Sequence, residues 1–247
     1  MLDVSEKLIV ALDVESLEKA KGFVDRLYPT IKLFKIGSQL FTVCGPEAVK
    51  MVGEKGGRVF LDLKFFDIPN TVFSGIASGT NLSCGSASYT NSGIAARVER
   101  AVEYPVFMMT VHTKGGIEML RAAVKGATDK AKELKITRPF IVGVTRLTSE
   151  RSEENTQGAV LEAARLAKEA GLDGIVCSAL EAPMIRKEFG DDFLIVTPGI
   201  RPQGYKSDDQ SRVVTAKEAI EAGADYIVVG RPILQAPDPL RAVKEIF

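Results

Sequence analysis

Residues 61–71 read Leu-Asp-Leu-Lys-Phe-Phe-Asp-Ile-Pro-Asn-Thr and gather Asp62, Lys64 and Asp67 within six positions. One ammonium between two carboxylates can hold, polarise or protonate a substrate. The preceding Val59-Phe60-Leu61 is β-branched, aromatic and aliphatic, which predicts a buried strand. In a strand, side chains two apart share a face at roughly 7 Å spacing, so Asp62 and Lys64 are expected to point the same way from the strand's C-terminal end. Pro69 stops the strand and Asn70-Thr71 opens the next element. Charges there are costly unless paired. A strand-end salt bridge is the plain structural reading of the cluster, and a catalytic centre is the sharper one.

Further charges fall at equivalent places. Asp13 follows the apolar run Leu8-Ile9-Val10-Ala11-Leu12, and Lys35 lies near the end of the run at 31–36. Singly, each reads as a surface charge at a strand end. Thr-Pro-Gly-Ile-Arg-Pro-Gln at 197–203 and Val-Gly-Arg-Pro-Ile at 229–233 follow two later apolar runs. Gly230 would let a backbone approach an anion, and Arg201 and Arg231 offer rigid forks of donors, so these stretches predict a phosphate site. His112 is the only histidine. It is read as structural or supporting rather than as a general base, and as a lone histidine it excludes a two-histidine metal site.

These residues need a frame that brings strand ends together. Apolar strands are expected at about 8–12, 31–36, 58–62, 106–111, 139–144, 173–177, 193–196 and 225–229. Helical patterns lie between most of them. One runs from Ser16 to Leu27 and another from Glu153 to Ala170, before Gly171. A third runs from Thr215 to Ala222, with Glu218 completing a capping box and Gly223 ending it. Eight strands alternating with helices predict one α/β domain, a (β/α)8 TIM barrel over 1–247, whose chemistry sits at the C-terminal strand ends. A doubly wound open sheet is the alternative, but the first turn, Asp13-Val14-Glu15-Ser16, lacks the glycines of that fold.

Composition bounds the partners. Acidic and basic residues balance at 32 each, so bulk charge suggests neither nucleic acid nor membrane as a partner. No apolar run approaches the roughly 18 residues of a membrane span, and the first residues show no signal-peptide pattern. Cys44, Cys84 and Cys177 have no metal-ligand spacing and read as free thiols in a reducing cytoplasm.

Residues 74–91 break the pattern, because they carry no charge at all. At the chain's overall 26% charged content, about five charges would be expected there. Ser-Gly-Ile-Ala occurs at 74–77 and again at 92–95, and deleting 74–91 would leave one continuous helical pattern to Glu103. The stretch is therefore read as an insertion forming a weakly structured Ser/Gly-rich loop. A lid over the nearby Asp67 and Thr71 is the competing reading.

Asp62-x-Lys64-x-x-Asp67-Ile68-Pro69-Asn70-Thr71 resembles the signature of orotidine 5′-phosphate decarboxylases of the bacterial type. The other motifs follow in that family's order along the whole chain outside 74–91. The resemblance implies loss of CO2 from orotidine 5′-phosphate in pyrimidine synthesis. No metal or cofactor is implied, and the sequence carries no flavin or pyridoxal phosphate motif. It assigns an alternating catalytic array to Lys35, Asp62, Lys64 and Asp67, with Lys64 protonating the ring. It places Asp13 on the ribose, Thr148 on the pyrimidine, and Arg201, Gln210, Gly230 and Arg231 around the phosphate. Gln203 is a weaker competitor for Gln210, and Ile68 and Pro198 complete the substrate contacts. It further implies a homodimer in which Asp67 and Thr71 reach the partner's site. Phe66 departs from the family, where histidine is common. Two alternatives remain: a magnesium-dependent sugar-phosphate decarboxylase of the same barrel group, and a nucleotide-binding scaffold inactivated by the insertion.

Overall fold

A computed structural model of the chain describes residues 4–82, 106–146, 156–202 and 214–246. Eight parallel strands close into a barrel in chain order. They are β1 (Leu8–Ala11), β2 (Leu33–Gly37), β3 (Arg58–Phe65), β4 (Val106–His112), β5 (Phe140–Val144), β6 (Gly174–Val176), β7 (Leu194–Thr197) and β8 (Tyr226–Val229). The seam pairs Leu8, Ile9 and Val10 with Ile227, Val228 and Val229. Closure leaves no sheet edge, so the open doubly wound sheet is excluded and the (β/α)8 barrel stands.

The strands are almost continuously apolar because both of their faces are buried. Their alternation nevertheless sorts two layers. Ile9, Ala11, Leu33, Phe60, Met108, Val142, Val196 and Val228 form one cluster that fills the barrel. Their neighbours Leu8, Val10, Phe34, Ile36 and Leu61 pack outward with helix residues such as Val24, Leu27 and Ile76. A strand repeats its face every second residue. Continuing the inward face two positions therefore leads from Ala11 to Asp13, Leu33 to Lys35, Phe60 to Asp62, Met108 to Thr110 and Val228 to Gly230. All of these lie toward the C-terminal mouth.

The caps read from sequence are present. Ser16 Oγ accepts from Lys19 N at 3.2 Å to start the helix Leu17–Leu27. Thr215 and Glu218 form a reciprocal capping box on Ala216–Glu221, and Gly223 beyond it has φ +107°. The helix Thr156–Glu169 precedes Gly171, at φ +83°. The expected start of that helix at Glu153 lies outside the described residues.

The loop expected from residue 74 is corrected over its first half, where the helix Pro69–Asn81 runs on through it. Pro69 suits a first helical turn, which needs no N–H. Ile76 and Thr80 are fully buried. A Cβ on Gly79 would lie 2.6 Å from Met109 Sδ. One on Gly126, in the facing helix Gly116–Leu134, would lie 2.5 Å from the Phe73 carbonyl oxygen. The small uncharged residues are thus a close-packing surface, and low charge was the wrong signal for a loop. Residues 83–91 lie outside the described residues.

Candidate active site

Four alternating charges line the mouth of the barrel. Lys35 Nζ is 3.0 Å from Asp13 Oδ1 and 3.6 Å from Asp62 Oδ2, and Lys64 Nζ is 2.8 Å from the same Asp62 oxygen. The order Asp13, Lys35, Asp62, Lys64 crosses from β1 through β2 to β3. Only 11–12% of the Asp62 and Lys35 side chains is exposed, against 48% for Asp13 and 40% for Lys64. The two ends of the row are therefore the ones that solvent or a ligand can reach. Gly37 leaves room for the first pair of the row, because a Cβ there would lie 2.9 Å from Lys35 Nζ and 3.3 Å from Asp13 Oδ1. Sequence reading passed over Gly37, although a glycine two positions beyond an inward lysine marks such a space.

Regular strand alternation does not place Lys64. In the β3–β4 register Leu61 pairs with Met109 and Phe65 with Val111. Asp62, Leu63 and Lys64 therefore oppose Thr110 alone. This bulge puts Lys64 at φ +51°, a left-handed conformation uncommon outside glycine. Thr110, which is fully buried, accepts from Lys64 N at 2.8 Å and donates to Asp62 Oδ1 at 3.0 Å.

Burial by itself would raise the Asp62 pKa. The Lys35 and Lys64 charges and the hydrogen bonds from Lys64 and Thr110 outweigh it, and Asp62 is held below the usual carboxylate range. A buried carboxylate kept ionised in this way presents fixed negative charge at the mouth.

The segments after β7 and β8, where a phosphate is expected, begin next to β1, because β8 pairs with both β7 and β1. Gly230 follows β8, and a Cβ there would lie 3.7 Å from Asp13 Oδ2, so the end of β8 adjoins the row of charges. Arg231 is half-buried and begins the short helix Arg231–Leu234. Pro198 is half-buried directly after β7. Arg201 is 4% exposed, and its Nη1 donates 2.9 Å to the Ile200 carbonyl, so its guanidinium sits inside the loop base rather than projecting into solvent.

Residues 6–246 match the model of the Orotidine 5′-phosphate decarboxylase / HUMPS family. The chain belongs to this family. It is 43% identical to an orotidine 5′-phosphate decarboxylase of Moorella thermoacetica, over 99% of this chain and 92% of that protein. It is 42% identical to one of Vibrio cholerae, over 97% of this chain and 96% of that protein. A crystal structure of orotidine 5′-phosphate decarboxylase from Lactobacillus acidophilus superposes with a TM-score of 0.77. It is 33% identical and covers 98% of this chain and 97% of that one.

The array inferred from the decarboxylase signature is only partly assembled within one chain. Lys35, Asp62 and Lys64 meet, and Asp13 joins them. Asp67 lies apart, exposed, with Oδ1 accepting from Ile68 N at 2.6 Å. Ile68 and Thr71 are exposed as well. Phe66, where decarboxylases often carry histidine, is 61% exposed, and its ring centroid lies 5.8 Å from that of His112. Thr148, Gln203, Gln210 and Cys84 lie outside the described residues. Thr110 is the member of this hydrogen-bonded cluster that sequence reading missed. Its signal was one hydroxyl at an inward position of the otherwise apolar run Met108-Met109-Thr110-Val111.

Proposed function

We propose that this chain converts orotidine 5′-phosphate to uridine 5′-phosphate and CO2 without a cofactor, with Lys64 delivering the proton. The observation carrying this reading is the Lys64 ammonium held on Asp62, at the open end of a charge row in a barrel of the decarboxylase family. Breaking the C6–carboxylate bond releases CO2 and leaves an electron pair in an sp² orbital at C6 that the ring does not delocalise. An ammonium about 3 Å from that pair contributes roughly 5 kcal/mol at an effective dielectric of 20. Transfer of one of its protons to C6 completes uridine 5′-phosphate, and solvent reprotonates the amine. Asp62, kept ionised, faces the departing carboxylate and favours its conversion to neutral CO2. Barrier reductions by enzymes reach roughly 8–23 kcal/mol, so the remainder comes from positioning through distant contacts. Loss of ultraviolet absorbance of orotidine 5′-phosphate on mixing with the purified protein tests the reading. Unchanged turnover in EDTA is expected, whereas abolition by EDTA and restoration by magnesium would favour the sugar-phosphate decarboxylase alternative. Nucleotide binding without turnover would favour the scaffold.

Arg231, Arg201, Gln210 and Gly230 are assigned to the phosphate, with Thr148, Ile68 and Pro198 on the rest of the nucleotide and Asp13 on the ribose. Arg231→Ala is expected to weaken binding of the nucleotide by about 1.5–3 kcal/mol, the strength of a charge-assisted contact. Binding of the bare nucleoside should barely change. Calorimetric titration of both ligands decides this, and equal losses would remove Arg231 from the phosphate.

The assembly is read as a homodimer. Phe66 and Ile68 are 61% and 66% exposed on either side of Asp67, and Val43 is 62% exposed in the helix Ser38–Cys44 after the adjacent strand β2. Large apolar side chains beside a carboxylate assigned to the partner's site fit a surface that a second copy covers. The free thiols Cys44 and Cys177 suit a reducing cytoplasm.

The chain is read as a single barrel domain with an insertion. Because Ser-Gly-Ile-Ala is repeated, removing 74–91 and removing 78–95 give the same sequence, with the tetrapeptide still following Phe73. That variant is expected to fold cooperatively and keep its activity, because the tetrapeptide and the residues after it continue the helical pattern begun at Pro69. Thermal melts and kinetics check it. A melt several degrees lower, or lost substrate affinity in a folded variant, would give the insertion a working role.

A further inference from the structure

The charges at the mouth depend on one neutral side chain. Between the pairs Leu61–Met109 and Phe65–Val111, β3 has three residues where β4 has Thr110 alone. The extra length bulges, and Lys64 takes φ +51°. A left-handed non-glycine residue is strained and persists only where its surroundings over-determine it. The atom that meets this backbone is Thr110 Oγ1, which accepts from Lys64 N at 2.8 Å. A hydroxyl has one proton, and Thr110 gives it to Asp62 Oδ1 at 3.0 Å. The other Asp62 oxygen accepts from Lys64 Nζ at 2.8 Å. The bonds form a closed circuit from the Lys64 amide through Thr110 to Asp62 and back to the Lys64 ammonium. Both ends of Lys64 are thereby referred to the same carboxylate.

We infer that Thr110 is a positioning residue for the decarboxylation, holding the bulged Lys64 backbone and the Asp62 carboxylate in the register that aims the Lys64 ammonium. This rests on the function proposed above. Thr110 is fully buried and two positions beyond Met108 on the inward face of β4, so it acts through Asp62 and Lys64. Valine at 110 would keep the shape, remove the acceptor from the Lys64 amide and remove the donor from Asp62. The ammonium would lose its aim without losing its charge, which affects the chemical step more than nucleotide binding.

The groups facing Asp62 are Lys35 from β2, Lys64 from β3 and Thr110 from β4, with Asp13 behind Lys35. The Thr110 hydrogen bond is one of the interactions that lower the Asp62 pKa. Its removal raises that pKa, so the acid limb of the kcat–pH profile moves to higher pH. A residue that merely fills space would not shift this limb.

The test compares Thr110→Val, Thr110→Ser and the parent in kcat, KM, kcat–pH profile and ¹³C NMR titration of the Asp62 carboxyl, assigned with Asp62→Asn. Valine is expected to lower kcat by about 10–100-fold while KM changes less than about threefold. Its Asp62 titration should rise, and serine should restore both kcat and titration toward the parent. Parental kcat in Thr110→Val, equal loss in the valine and serine variants, or an unmoved Asp62 titration would each overturn the assignment. If Thr110→Val does not fold, Thr110→Ala against Thr110→Ser gives the same contrast. A parent that binds nucleotide but never decarboxylates would overturn the proposed function instead. The Asp62 titration would then still decide whether Thr110 holds the pair.

Discussion

Lys64→Ala is expected to abolish decarboxylation while leaving uridine 5′-phosphate binding measurable. Two contributions vanish together. In the proposed mechanism one is the ammonium facing the electron pair at C6, and the other is the proton that replaces CO2. Proton transfer by a positioned group contributes typically about 10²–10⁴-fold, and electrostatic stabilisation of developing charge contributes further, so a loss beyond about 10⁴-fold is expected. The fold should survive. Lys64 is 40% exposed, and truncating it leaves Asp62 paired with Lys35 at 3.6 Å and bonded to Thr110. The buried carboxylate is therefore not left alone, which is the situation that destabilises most. Turnover at high enzyme concentration and a nucleotide-binding isotherm are the measurements. Retention of a tenth or more of parental activity, in a variant that binds normally, would place proton delivery on another group.

The second large effect concerns Asp67. It stands exposed and outside the row formed by Asp13, Lys35, Asp62 and Lys64, although it belongs to the same sequence signature. If its carboxylate completes the partner's site, Asp67→Ala and Lys64→Ala homodimers should both be nearly inactive. Mixing the two by unfolding and reassociation should then recover activity. In a hybrid dimer one site lacks both residues and the other has both. Random pairing therefore regenerates about a quarter of the parental sites by the two-fold symmetry of the assembly. Recovery of activity with mixing, and its absence when the proteins are combined without exchange, is the expected result. A parent that sediments as an active monomer at assay concentration, or mixtures that never exceed the single variants, would refute the shared site.

Much of the barrel was legible because its signals are local. Each strand is a short apolar run bounded by polar or glycine residues, and the eight expected runs match the eight strands closely at their centres. Ser16, Thr215 and Glu218 mark helix starts through hydrogen bonds within a few residues. The error over 74–81 has an equally physical origin. Charge and helix propensity are read along the chain, whereas Gly79 is set by Met109 of a strand behind it and Gly126 by the Phe73 backbone facing it. Small residues at a close helix contact resemble loop residues until the opposing surface is known.

The same division runs through the site. Which charges exist, their order along the chain and their place at strand ends can all be read residue by residue. A two-residue repeat and alternating strands and helices suffice to put Asp13, Lys35 and Asp62 on the inward face of a barrel mouth. The closed barrel sets how they pair. It set Lys35 between Asp13 and Asp62 over the gap left by Gly37, and left Asp67 exposed outside the row. It also placed Lys64 by a bulge rather than by alternation. That last choice depends on the register between β3 and β4, which begin 48 residues apart in the chain. Register is a property of two strands together, so no spacing within residues 61–71 encodes it. The hydroxyl of Thr110, reaching both Asp62 and the Lys64 amide, is where the two strands meet.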